Sequence, residues 1–200
     1  MGSSSRAPRV AGYLDSLGTL QMGNGEVLGL VFDLPEAKWM VEVRRMRVAY
    51  DSARALFPIE ITVVGSSGLG WFSPGQTPEA ITEHVRRIAK GVPPFVCPFL
   101  RVEAFPKSRV YYLALANEEP FRSFQRALAA SPLHFEDTEF AYKPHCTIAA
   151  LSEMAPAAAH AELAAFPIPA AGATISMLSL YAVNFSTNRC RHVDRLPLGA

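Results

Sequence analysis

The chain has 200 residues, 50% hydrophobic and 18% charged, with 19 basic and 18 acidic side chains for a formal net charge of +1. That length suits one domain with a sizeable core. The near-zero charge excludes a bulk electrostatic pull towards nucleic acid or a membrane surface, so any anionic ligand must be held by local groups. Cys97, Cys146 and Cys190 are far apart and form no C-x-x-C pair, which reads as free thiols in a reducing, cytoplasmic compartment. No run of about 18 apolar residues marks a membrane span.

Residues 1–25 read as a flexible tail, rich in Ser, Gly and Pro and without the apolar centre of a secretory signal; "MGSSS" also fits a short acylation pattern at Gly2. The domain proper is expected over 26–200. "EVLGLVFDL" (26–34) predicts a strand. Residues 36–55 predict an amphipathic helix that buries Trp39, Val43, Met46 and Tyr50 and leaves Arg44, Arg45 and Arg47 on a solvated face. A strand follows at 59–65, then a turn at "GSSGLG", which lacks the Lys-Ser/Thr ending of a phosphate loop. A second helix opens at Thr77 as N-cap with Pro78 in its first turn and stops at Gly91. Trp71 and Phe72, just ahead of it, suit either core packing or a stacking platform at a cleft rim.

"PFVCPFLRVEAFP" predicts one or two short strands interrupted by Pro98, and 109–116 another. A third helix is expected over 118–131, a strand over 144–151 and a short helix near 160–165. Two closing strands are expected at 173–184 and 190–198. His84, His134, His160 and His192 show no metal-ligand spacing. No metal or other cofactor is expected.

A strand–helix–strand unit occurs twice. Val27 to Glu60 spans 33 residues (60 − 27) and Val110 to His145 spans 35 (145 − 110). "EIT" at 60–62 thus occupies the place of "HCT" at 145–147. Strand side chains alternate faces, so Glu60 and Thr62 share one face and His145 and Thr147 share another. Cys146 points away from His145, which argues against a Cys–His dyad. A two-fold relation between the units would bring both polar pairs to one cleft. A histidine there can move a proton, and a threonine hydroxyl can hold a phosphoryl oxygen.

"FPIEITVVGSSG" and "KPHCTIAAL", 85 residues apart (145 − 60), resemble the two His-x-Thr/Ser motifs of the 2H phosphoesterase superfamily, which includes 2′-5′ RNA ligase-like proteins and cyclic phosphodiesterases. The resemblance runs over about 26–198 and includes the closing "LSLYAVNFSTNRCRHVDRLPL". It implies an α+β fold: a single bilobal domain of two pseudo-symmetric, mostly antiparallel sheets, with helices outside and a central cleft. It implies His145 and the residue at 60 as the catalytic pair. Thr62 and Thr147 are expected to bind substrate, with Lys143 and Tyr142 beside them. The expected substrate is a small molecule, nucleotide or RNA end carrying a 2′,3′-cyclic phosphate or 2′-5′ phosphodiester, bound by a monomer.

The first motif departs from the family by carrying Glu60 in place of histidine. A carboxylate serves as a base, but repels a phosphodiester and is a poor acid unless burial raises its pKa. One reading therefore makes Glu60 the base and His145 the acid. A second turns the pair to a non-phosphate small molecule, and a third keeps the cleft for binding alone. Lys143, Arg101, Arg109 and Arg191 are the candidate cations to neutralise Glu60.

Overall fold

The computed structural model describes residues 25–106 and 108–200. The expected tail and its Gly2 pattern, up to residue 24, lie outside the described residues. The first predicted strand is β1 (Val27–Asp33), and helix α1 (Trp39–Tyr50) follows. A single 3₁₀ turn (Arg54–Leu56) leads into β2 (Glu60–Val64), and α2 (Pro78–Ala89) comes next. Pro98 does divide its segment, into β3 (Phe95–Cys97) and β4 (Phe99–Ala104). The second repeat unit is β5 (Val110–Leu115), α3 (Glu119–Ala129) and β6 (His145–Ala150). The chain closes with α4 (Ala157–Ala164), β7 (Ala173–Ile175), β8 (Met177–Asn184) and β9 (Arg189–Pro197).

The architecture is α+β with antiparallel pairing throughout. One sheet has the order β2-β1-β8-β9 and another β4-β5-β6. Between them the short β3 and β7 pair with each other, a third sheet that the sequence pattern does not announce. Each repeat unit reads strand–helix–strand–helix–strand, and β3 and β7 are its last strands. They meet where a two-fold axis relating the units would pass.

The helices cross over. Helix α3 follows β5 of the second sheet but packs on the first, where Phe121 and Phe124 meet Phe32 of β1 edge-on, with ring centroids 5.0 and 5.2 Å apart. Helix α1 follows β1 of the first sheet but packs against β6 of the second, and Trp39 sits edge-on to Phe99 of β4 at 5.4 Å. Helix α2 joins α3 over β9 and β2, and α4 joins α1 over β4. One continuous apolar core fills both interfaces, from Leu30, Phe32 and Ile61 to Leu113, Cys146 and Ile148.

Local chemistry explains the boundaries. Thr77 accepts a hydrogen bond from the Ala80 N–H at 3.2 Å with Pro78 at the first helical position, as its sequence requires. Helix α1 starts later and ends earlier than its periodicity suggests. Its chain leaves helical geometry at Asp51, whose carboxylate binds Arg54 and the Ala150 N–H instead. The stripe it buries is Met40, Val43, Met46 and Arg47. Trp39 and Tyr50 are half-buried at its margins. Arg44 and Arg45 are exposed and paired with Glu36 and Glu42, as a solvated face requires. Arg47 corrects that reading: it is 2% exposed, because its guanidinium finds backbone carbonyls from two other segments.

The turn after β2 is tied to the segment before β6. Gly68 N–H donates to Phe140 O at 2.8 Å, Glu136 N–H to Trp71 O at 2.8 Å and Thr138 Oγ1 to Ser66 O at 3.0 Å. Gly70 makes this clamp possible. It has φ +80°, and a Cβ there would lie 1.9 Å from the Glu136 carbonyl oxygen. Gly70→Ala is therefore expected to destabilise the fold by about 2 kcal/mol or more, read as a lower urea midpoint.

Candidate active site

Glu60 and His145 are each the first residue of their strand, and Thr62 and Thr147 lie two residues on. Ile61, Val63, Cys146 and Ile148 turn into the core, which leaves the two polar pairs on the opposite sheet faces. Strands β2 and β6 lie against each other, and the Tyr142 hydroxyl donates to Thr62 O at 3.1 Å. The two motifs are thus brought together, with Tyr142 as a tie between them.

His145 Nδ1 lies 2.6 Å from Lys143 O. A carbonyl only accepts, so Nδ1 carries the proton and Nε2 presents its lone pair. Thr147 Oγ1, 3.1 Å from Nε2, supplies the donor. Aromatic rings wall the imidazole: Phe105 is edge-on at 5.1 Å and Tyr112 is 4.8 Å away, with Phe105 and Tyr112 stacked on each other at 4.4 Å. Burial therefore lowers the His145 pKa to about 4, against the hydrogen bond to Lys143 O, with Arg54 and Lys143 adding to the depression.

Glu60 is displaced the other way. Burial raises its pKa to about 7, opposed by the Thr62 hydroxyl, which lies 3.1 and 3.2 Å from its two carboxyl oxygens, and by Arg47 and Arg54. Asp33, its cross-strand neighbour on β1, raises it further. Asp33 itself accepts from Ser179 Oγ and Arg195 Nε, each at 2.9 Å. A cavity of about 470 Å³ opens beside this group, lined by Asp33, Pro58, Ile59, Tyr181, His192 and Arg195 among others.

None of the four anticipated cations is among the largest influences on Glu60. Lys143 pairs with Glu118, Arg101 with Glu103, Arg109 with Glu153 and Arg191 with Glu26. The cations that do act there, Arg47 and Arg54, come from α1 and the turn after it. Their only sequence signal is an arginine falling on the apolar stripe of a helix. Phe72 belongs to the core, 1% exposed. Trp71 is also buried, over Gly29 on the Glu60 side of the first sheet, and its indole N–H has no acceptor. Among the described residues, no three His, Cys, Asp or Glu side chains gather as a metal site requires, and no helix is long and apolar enough to cross a membrane.

No curated protein matches the chain. Among solved structures, E. coli LigT complexed with 3′-AMP matches with a TM-score of 0.52 at 19% identity, covering 88% of this chain and 99% of that one. LigT in apo form gives 0.51 at 19% identity, with 88% and 98% covered, and LigT complexed with phosphate gives 0.50 at 18%, with the same coverage. At such identities the likeness is one of fold. The family model of the 2′-5′ RNA ligase superfamily matches residues 34–184, which takes in both motifs. With that model spanning 151 of 200 residues (184 − 34 + 1), the chain belongs to the 2′-5′ RNA ligase superfamily.

Proposed function

We propose that this protein is a phosphoesterase that opens a 2′,3′-cyclic phosphate, or cleaves a 2′-5′ phosphodiester, of a nucleotide or RNA end, with His145 as general base and Glu60 as general acid. The observation that carries the reading is that β2 and β6, tied by Tyr142, bring the two motif pairs to one site, and the opposite displacement of its two acid–base groups, to about 4 for His145 and about 7 for Glu60, supports it. Between those values His145 is neutral and Glu60 holds a proton. This exchanges the roles that unperturbed pKa values suggest. A protonated Glu60 also carries no charge, which removes the repulsion a carboxylate would exert on a phosphodiester.

In the reaction, Nε2 of His145 takes a proton from the attacking water as its oxygen bonds to phosphorus. The Glu60 carboxyl gives its proton to the departing ribose oxygen as the P–O bond breaks. The Thr62 and Thr147 hydroxyls, turned towards Glu60 and His145 in the resting site, swing to the phosphoryl oxygens. Lys143 adds positive charge beside His145, and Tyr142 acts through Thr62. The cavity lined by Asp33 and Ile59, the neighbours of Glu60, is within the usual size for a small-ligand site and takes the body of the substrate, although the four motif side chains lie outside its lining. LigT, of the same fold, has been crystallised with 3′-AMP and with phosphate, which supports a nucleotide substrate.

A second reading, acid–base chemistry on an uncharged small molecule, draws support from the pairing of the four anticipated cations, Lys143, Arg101, Arg109 and Arg191, with carboxylates. Turnover assays on 2′,3′-cyclic nucleotides and 2′-5′-linked RNA across pH separate the two. The phosphoesterase reading expects turnover whose kcat/KM is level between the two pKa values and falls above about 7 as Glu60 ionises. It also falls below about 4 as His145 gains a proton. Nucleotide binding without turnover of either substrate would leave a binding module.

A further inference from the structure

Arg47 takes no part in the reaction described above, yet its guanidinium is buried between the two motif strands. Its Nε donates to Ile148 O at 3.0 Å and its Nη2 to Thr147 O at 2.7 Å. Its Nη1 donates to Phe57 O and Pro58 O, both at 3.0 Å. The first two carbonyls lie on β6 just past His145. The other two lie just before Glu60. A guanidinium is planar, with its donors in a fixed fork, so these bonds set the separation of the two segments more tightly than flexible contacts could. All the acceptors are neutral carbonyls, so the positive charge is not cancelled by a bonded carboxylate. It acts outwards, on Glu60 among others.

We propose that Arg47 is the positioning residue of this site: it spaces the Glu60 and His145 strands through backbone carbonyls, and its buried charge makes the site hospitable to an anion without touching the substrate. The effect on rate rests on the phosphoesterase reading. The effect on Glu60 does not. Arg47 and Arg54 favour the Glu60 carboxylate, and Asp33 opposes it. Tyr142 and Cys146 from the β6 side, and Tyr181 and Cys190 from β8 and β9, are further titratable groups that Glu60 acts on, and His145 on β6 and His192 on β9 lie at the same site. Burial is the first cause that pushes the pKa of each of the two tyrosines and two cysteines up, and Glu60 adds to it in each, with Arg47 opposing at Cys146 and Asp33 ahead of Glu60 at Tyr181, so all four are neutral near pH 7.

The test compares Arg47→Lys and Arg47→Met with the unaltered chain. An infrared titration follows the Glu60 carboxyl band, assigned with Glu60→Gln, without substrate. Arg47→Met is expected to raise the Glu60 midpoint by about one pH unit or more, because a nearby positive charge has been removed. Arg47→Lys is expected to keep the midpoint but lower kcat at least about tenfold, because an ammonium cannot span both strands. A folded Arg47→Met protein with an unmoved midpoint overturns the electrostatic role. An Arg47→Lys protein with full kcat overturns the spacing role. Should Arg47→Met not fold, Arg47→Lys decides through its kcat and midpoint together. Should the unaltered chain turn over neither phosphodiester, the proposed function fails, and the substrate-free titration still decides this inference.

Discussion

Replacing His145 with alanine is expected to lower turnover of a 2′,3′-cyclic nucleotide by about 10²- to 10⁴-fold, the usual worth of a positioned acid or base. The cause is specific: Nε2 is the one imidazole atom left to accept a proton, since Lys143 O fixes the proton on Nδ1. Glu60→Gln is expected to lose a comparable factor, because an amide keeps the shape and the Thr62 bond but cannot donate a proton to a leaving oxygen. The two variants should differ in stability. The folded-state pKa of Glu60, about 7, lies above its ordinary value of 4.5. Its contribution is therefore fully present below the unfolded value and is lost as pH rises through 7. Ionised Glu60 opposes folding by about 3 kcal/mol above that pH, and Glu60→Gln removes the penalty. Urea unfolding at pH 8 should find the glutamine variant more stable than the unaltered chain and less active. Unchanged turnover in either variant would sink the assignment. Glu60→His adds a direct comparison: phosphodiester turnover gained only by that variant would show that the natural residue serves another reaction.

Phe32→Ala is expected to cost about 3–5 kcal/mol, a large part of the stability of a typical domain. Phe32 is fully buried near the end of β1 and meets three rings edge-on: Phe121 at 5.0 Å, Phe124 at 5.2 Å and Phe95 at 5.9 Å. Those rings come from α3 and β3, so its loss leaves a cavity where the first sheet meets a helix from the other repeat unit. Urea denaturation should show a lower midpoint with an unchanged m-value. A loss below about 1 kcal/mol would mean that the rings close over the gap.

The motif residues were legible in the sequence because their signal is local. Alternation along 59–65 and 144–151 assigns Glu60, Thr62, His145 and Thr147 to their faces without tertiary knowledge. The N-cap at Thr77 was legible for the same reason. Arg47 was not. Its partners, Thr147 and Ile148, lie 100 and 101 residues away, and a helix pattern records polarity without recording which remote carbonyls will meet it. The acid–base roles proposed for Glu60 and His145 were hidden too, since the displacements that suggest them follow from burial by Phe105, Tyr112 and the neighbouring sheet. The β3–β7 pair escaped because three-residue strands carry too little alternation to be seen. Which sheet each helix would cover was also unreadable, since an amphipathic stripe demands an apolar partner without naming it.

That crossing of helices has a consequence for how the halves can be separated. A chain cut between α2 and β3 leaves the first fragment with β1 and β2 but without α3, the helix that covers them. The second fragment keeps α3 and loses α1. Each piece carries the lid of the other, so neither is a folding unit by itself.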